Sequence, residues 1–345
     1  MARKAVVLFN LGGPDQLASV EPFLFNLFND PAIIRLPNPI RFLVAKLISK
    51  RRGPIAREIY KSIGGKSPLL EQTGHQADAL TATLSELPDD YKVFVCMRYW
   101  HPRASETVLE VKDFDPDEVI LLPLYPQFST TTTGSSVREW QKIAKNADLD
   151  VKTTTVCCYP EDAGFSAAYA DLIAKELAKI EGDAPKLLFS AHGLPKKIVD
   201  GGDPYPWQVE QSVNGILKEL GRDDLDYKIC YQSRVGPVEW IGPSTETEIE
   251  LAGEAGQSLM VIPVAFVSEH SETLVELDLE YAEIARKTGV TGYYRVPTVT
   301  THPKFIDGLK SLIKNRHDGG MKSACGAKIC PASATGCAQF SKVAI

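Results

Sequence analysis

Eight short runs rich in Val, Ile, Leu and aromatic residues recur along the chain, most of them followed by a longer stretch of helical pattern. This alternation constrains the fold more tightly than any other feature. The runs are 5–10 ("AVVLFN"), 91–99, 118–126, 152–159, 186–191, 227–233, 259–266 and 292–296. Helical spacing occupies 68–86, 134–146, 163–181, 208–220, 244–256, 271–288 and 303–315. Strands that are apolar at nearly every position are covered on both faces, and strand–helix–strand order makes neighbouring strands parallel. The expectation is an α/β protein made of two doubly wound domains that divide near residue 155.

Length and charge narrow what such a protein does. With 345 residues, two domains of ordinary size can each bury a core. Lys and Arg total 38 against 44 Asp and Glu, a net charge of −6 that argues against nucleic acid as the partner. The longest apolar runs, "VILLPL" and "LMVIPVAFV", are too short to span a bilayer. The N-terminal run Ala5–Phe9 is followed by no small-residue cleavage site, so it reads as a first strand rather than an export signal, with a cytoplasmic location expected. Seven cysteines, an odd number, argue against a disulfide framework in that setting, yet three fall within the last 21 residues.

In an open parallel sheet, ligands bind beyond the carboxyl ends of the strands. The groups expected there are Asn10–Gly13, the "STTTTGSS" run (129–136), His192 and His270. "NLGGPD" lacks G-x-G-x-x-G spacing and any P-loop lysine, so a tight turn is the better reading. The hydroxyl run leads into a helix and could cradle a carboxylate or phosphate, or simply cap that helix. His192 ends a buried strand in "LLFSAHGLP"; a neutral imidazole there can accept a proton or bind a transition metal. Beyond His270, a row of Glu272, Glu276, Glu280 and Glu283 lies beside the apolar stripe Leu274, Leu277, Tyr281 and Ile284. Like charges at i, i+4 cost a helix a few tenths of a kcal/mol per pair, roughly. The row is therefore either a plain solvated face or a path for something cationic, and carboxylates with imidazoles suit Fe²⁺, Mn²⁺ or Zn²⁺.

Two further segments carry distinct chemistry. Residues 38–55 set Ile40, Leu43, Val44, Leu47 and Ile48 beside Arg41, Lys46, Lys50, Arg51 and Arg52, a pattern for a helix lying on a membrane, a core helix, or an apolar lip over the cleft. The tail reads Cys325-x₄-Cys330-x₆-Cys337, three thiols suited to an iron–sulfur or metal site, with zinc as the rival. Cys157 and Cys158 offer a fourth ligand; neighbours in a strand face opposite ways, so only one of them is expected to reach.

Taken in order, "FNLGGPD", "SIGGKSPL", "RYWHP", "LPLYPQFSTTTTGSS", "FSAHGLP", "YQSRVGPVEWIGPSTE" and "PVAFVSEHSETLVELDLEY" resemble the ferrochelatases, which insert Fe²⁺ into a porphyrin to complete haem. The resemblance covers nearly the whole chain. It implies two similar four-stranded parallel sheets flanked by helices, with a cleft between: 1–154 joined by a last helix at 303–317, then 155–302, then a cluster-binding tail at 318–345. It implies that His192 and Glu272 are catalytic and meet the Fe²⁺ substrate, and that His270, Glu276 and Glu280 form a path for metal or released protons. Leu11, Ser129, Thr130 and Trp240 would contact protoporphyrin IX. The tail resembles the 2Fe–2S extension of some ferrochelatases, with Cys158, Cys325, Cys330 and Cys337 as ligands. Its spacing departs from the animal pattern, and Ala168 stands where that pattern has its internal cysteine. Rival readings are a coproporphyrin or cobalt chelatase of the same fold, a tetrapyrrole or metal carrier without turnover, and an iron–sulfur sensor. A homodimer and peripheral attachment to the inner membrane face through 38–55 are left open.

Overall fold

The computed structural model describes residues 1–234, 236–317 and 320–339. All eight sequence runs form strands: β1 Arg3–Asn10, β2 Asp90–Met97, β3 Glu118–Pro123, β4 Lys152–Cys158, β5 Lys186–His192, β6 Tyr227–Gln232, β7 Leu259–Ile262 and β8 Tyr293–Arg295. Three stop two or more residues short of the apolar run that marks them: β2 at Met97, β3 at Pro123 and β7 at Ile262.

A ninth strand, β9 Gly320–Ser323, comes from the tail. The sheets are therefore five- and four-stranded, in the orders β2-β1-β3-β4-β9 and β6-β5-β7-β8, and every pairing is parallel. This corrects the expected count of four in the first sheet. "GMKS" is too short and too polar to show a strand period, and only its pairing with Thr154–Cys158 makes it one. Its register against β4 slips between Val156 and Cys158. At such an irregularity the strict alternation of side chains is lost. Cys157 and Cys158 consequently lie with their Sγ atoms 3.4 Å apart and share one apolar cluster with Phe128, rather than facing opposite ways.

The last helix, Pro303–Lys314, packs on helices Leu69–Leu84 and Ala163–Leu177. One core runs through both sheets: Leu8 and Leu122 of the first belong to the same buried cluster as Leu187, Phe189 and Met260 of the second, with Phe305 between. The stretch expected as one helix at 271–288 is two. Glu272–Tyr281 is a π-helix, and Ala282–Thr288 continues it as an α-helix that Gly289 ends in the left-handed region. Helix Ile40–Ser62 holds the amphipathic segment; Leu43 and Leu47 are 63% and 69% exposed, so that face is not core. Among the described residues no helix is long and apolar enough to cross a membrane.

Candidate active site

Strands β5 and β6 are neighbours, and their last residues, His192 and Gln232, are register partners at the carboxyl edge of the second sheet. The π-helix begins opposite them. His192 Nδ1 lies 2.8 Å from Glu272 Oε2, with the two side chains 39% and 29% exposed, so the pair is reachable from the cleft. Ser233 follows β6 with φ +61°, a backbone conformation that is uncommon for a residue with a side chain. That turn aims its Oγ at both carboxylates: it donates to Glu272 at 3.2 Å and more closely to Glu276, while its backbone N–H donates to Glu276 at 2.7 Å. Gln232 donates to Glu276 at 3.1 Å and to the Glu272 carbonyl at 3.0 Å. Its own amide is oriented by Ser190, which donates to Gln232 Oε1. Tyr281 closes the far side, donating to Glu276 at 2.9 Å.

This packing separates the protonation states. Burial works against the His192 charge, but the Glu272 charge and hydrogen bond, with help from Glu276, outweigh it and raise His192 above its ordinary value. Burial also opposes ionisation of Glu272; His192, then His270 and Ser233, hold its carboxyl well below the usual range. Glu276 moves the other way, raised by burial and by the Glu272 charge beside it against the opposing bonds from Ser233 and Tyr281. His270 is lowered by burial, its ring edge-on to Phe266 at 4.5 Å and its Nδ1 shut from solvent without a partner. The site thus holds one carboxylate that stays ionised, one poised to take a proton, and two imidazoles of differing basicity.

The acidic row does not continue unchanged. Glu280 is exposed, and Glu283 is taken up by Arg286 at 2.7 Å and Lys287 at 3.2 Å. Only Glu272 and Glu276 turn into the cleft network.

The hydroxyl run meets an anion from its own chain. Ser129 Oγ, Thr130 N and Thr130 Oγ1 all donate to Asp203 Oδ2, at 3.0, 2.8 and 2.7 Å. Burial raises the Asp203 carboxyl despite those donors. Trp240 pairs through its backbone with Pro195, and its ring lies against Gly193, where an added Cβ would meet Cε3 at 3.4 Å. Its Nε1 is shut from solvent without a partner. Leu11 packs on a cluster that includes Phe23, Tyr60 and Tyr99. Burial pushes the Tyr60 phenol up to about 12, with Ser271 opposing and Glu272 adding, so this apolar wall of the first half adjoins the His192–Glu272 pair of the second.

Sequence reasoning missed Gln232, Ser233, Tyr60 and Tyr281 as site residues. Ser233 and Gln232 lie in a quoted motif, "YQSRVG", but nothing in their type announces a left-handed turn between two carboxylates.

Among the described residues no three His, Cys, Asp or Glu side chains stand together as a metal site, so the four expected cluster cysteines are not gathered round one point. Three of them do influence one another. Cys157's hydrogen bond first, then burial and the Cys337 thiol, push Cys158 up. Cys337's bond and burial push Cys330 up, while Gln208 donates to Cys330 Sγ at 3.2 Å. Cys325 is exposed beside Ser323 Oγ at 3.5 Å.

Two parallel sheets, the second carrying a histidine and two glutamates at its carboxyl edge, define a chelatase-type fold. SirB from Bacillus subtilis, solved with Fe³⁺, shares it with a TM-score of 0.52 over 91% of this chain and 95% of that one; at 9% identity the likeness is one of fold. The ferrochelatase family model matches residues 3–317. Ferrochelatase from Rickettsia bellii (strain OSU 85-389) is 51% identical over 344 residues, 98% of this chain and 95% of its own length. The Pelagibacter ubique ferrochelatase is 51% identical over 92% of each chain, and that of Wolbachia sp. subsp. Drosophila simulans 55% over 91% of this chain and 99% of its own. The chain belongs to the ferrochelatase family, the enzymes of metal insertion into porphyrin.

Proposed function

We infer that the protein inserts Fe²⁺ into protoporphyrin IX, giving protohaem and two protons, and that His192 with Glu272 carries the reaction. The observation behind this is the 2.8 Å His192–Glu272 pair at the open edge of the cleft, backed by Glu276. A free-base porphyrin must lose two pyrrole protons as iron enters, and a base of near-neutral pKa suits that task. With Nδ1 engaged by Glu272, His192 presents Nε2 to the macrocycle. The ionised Glu272 stabilises the imidazolium that forms, and with His192 it meets the incoming Fe²⁺. Glu276, its carboxyl raised, supports a route by which protons leave, with His270 and the exposed Glu280 flanking it. Leu11 and Trp240 border the cleft as ring-packing walls, and Ser129 and Thr130 support the wall through Asp203. The two functional halves follow the two sheets; the division expected at 154/155 would cut β4, so it moves beyond Cys158.

Anaerobic turnover of protoporphyrin IX with Fe²⁺, followed by loss of free-porphyrin fluorescence, tests this reading. Many turnovers are expected. Turnover only of coproporphyrin would move the substrate, and a single stoichiometric change would make the protein a carrier.

Cys158, Cys325, Cys330 and Cys337 would hold a 2Fe–2S cluster, which when bound supplies a visible chromophore and a one-electron couple. None of the four is in a disulfide, and three act on one another. Residues 318, 319 and 340–345 of the expected tail lie outside the described residues. Cys330→Ser should abolish the iron–sulfur absorption of protein purified without air; an unchanged spectrum would remove Cys330 from the ligand set.

The exposed Leu43 and Leu47, beside Lys46 and Lys50, favour peripheral contact with an anionic membrane. Sedimentation with anionic lipid vesicles should carry the protein down and leave Leu43→Asp/Leu47→Asp in the supernatant. Equal behaviour of the two would end that idea.

A further inference from the structure

A π-helix of ten residues needs an explanation, because π geometry normally survives only as single turns inserted in α-helices. Left to itself, Glu272–Tyr281 would relax to α geometry, where each residue steps further round the axis. Glu272 and Glu276, four apart, would stay neighbours, but the changed step would turn both relative to Ser233, whose Oγ they now share. Something outside the helix must fix its register.

Strand β8 supplies it. Only three residues long, it pairs with β7 at the edge of the second sheet. Residues two apart in a strand share a face, and both such residues here grip the π-helix. Tyr293 OH donates to the Leu277 carbonyl at 2.7 Å. Arg295 forks onto Asp278, with Nε and Nη2 at 2.6 and 2.7 Å from its two oxygens. The third arm of the fork, Nη1, reaches Glu269 at 2.6 Å, the residue just before His270. These charges are largely withdrawn from water: Arg295, Glu269 and Asp278 are 15%, 12% and 30% exposed. A bidentate guanidinium–carboxylate pair in such surroundings fixes orientation as well as charge. Glu269 is held further by the Thr298 N–H at 2.9 Å, and its own N–H donates to Gln72 at 2.7 Å, which ties the assembly to the first half.

The anchors bracket the functional segment. One sits before His270, and the other two fall at Leu277 and Asp278, directly beyond Glu276. We propose that Tyr293 and Arg295 are positioning residues, a clamp on one face of β8 that holds Glu269–Asp278 in π register and so keeps Glu272 and Glu276 converged on Ser233. The clamp acts through the helix, by its bonds to Leu277, Asp278 and Glu269. Its effect on catalysis rests on the iron-insertion reading above.

The test uses the full chain. Arg295→Met would leave the buried Glu269 and the half-buried Asp278 without their cation and could fail to fold, so the decisive variants are Tyr293→Phe, Asp278→Asn and their double. Arg295→Lys keeps the charge and loses the fork. In the double variant, amide exchange across 272–281 should accelerate about tenfold or more. Iron insertion should lose about tenfold or more in kcat/KM for Fe²⁺, up to the roughly hundredfold that misplacing a catalytic group can cost. Porphyrin affinity, read by fluorescence titration, should stay within about twofold. Arg295→Lys should fall between wild type and the double. A general loss of packing would instead weaken porphyrin binding and iron use together, and that result overturns the clamp. So does a folded double variant with wild-type exchange and wild-type dependence on Fe²⁺. If the wild-type protein turned over no porphyrin, the iron-insertion reading would fail while amide exchange still decided the clamp.

Discussion

In a His192→Ala variant, iron insertion falls by about 10²–10⁴-fold, the range general acid–base groups contribute, while porphyrin still binds. The expectation follows from what surrounds the imidazole. Glu272 and Glu276 raise His192 above its ordinary 6.5 despite burial, so the acid limb of kcat/KM should lie above pH 6.5, where the neutral base becomes abundant. Glu272→Gln removes the leading stabiliser of the imidazolium. Burial then dominates, and the limb should move to lower pH even as the rate falls. NMR titration of His192 in both proteins checks the direction; an upward or absent shift in Glu272→Gln would break the assignment.

The same pair sets a stability window. His192, raised on folding, stabilises fully below about 6.5 and loses that contribution as pH rises through its folded value. Glu272, lowered on folding, stabilises above about 4.5 and loses its contribution as pH falls through its folded value. Both terms are fully present from about pH 4.5 to about 6.5, and the His192 term fades from there through its folded value, where the base needed for catalysis appears.

Much of this site is written in local sequence. Strand-end placement located His192, because an apolar run followed by Gly193 and a turn is a local pattern. Glu272 and Glu276 were visible as a row, yet their relation was not: the α period aligned four glutamates, whereas the π-helix turns two inward, leaves Glu280 exposed and gives Glu283 to Arg286 and Lys287. π geometry has no propensity signature, since it is imposed from β8 by Tyr293 and Arg295. Asp203 was invisible for a similar reason. Its partners Ser129 and Thr130 lie more than seventy positions away, and a hydroxyl run looks the same whether its anion is a ligand or the chain's own carboxylate. The strand β9 depends on its pairing with β4, and the shared side of Cys157 and Cys158 on the slip in that pairing, neither of which four residues of tail sequence can announce.

Gly164→Val is expected to destabilise the protein by about 3 kcal/mol or more, the upper range for overpacking. At roughly 2–4 °C per kcal/mol this corresponds to a fall in Tm of about 6–12 °C. Gly164 opens helix Ala163–Leu177 where it meets the last helix, Pro303–Lys314. A Cβ there would stand 2.4 Å from the Lys304 carbonyl oxygen and 2.7 Å from Gly308 Cα, and backbone atoms in a helix cannot step aside. The reciprocal contact is as tight: a Cβ at Gly308 would meet Asp162 Oδ1 at 2.5 Å, the oxygen that caps helix Ala163–Leu177 by accepting the Phe165 N–H. The two glycines share one contact, so Gly164→Val and Gly308→Val should combine to less than the sum of their separate costs. Gly74 is the control. It lies inside helix Leu69–Leu84 with open space around it, and Gly74→Ala should stabilise by about 0.4–1 kcal/mol through the unfolded chain. The last helix packs on both of these helices, so the close approach at Gly164 and Gly308 is part of what sets one half against the other across the cleft. Thermal unfolding with iron-insertion kinetics separates the cases. A Gly164→Val protein as stable as wild type would show that the helices can part without cost, and the cleft geometry would then need another support.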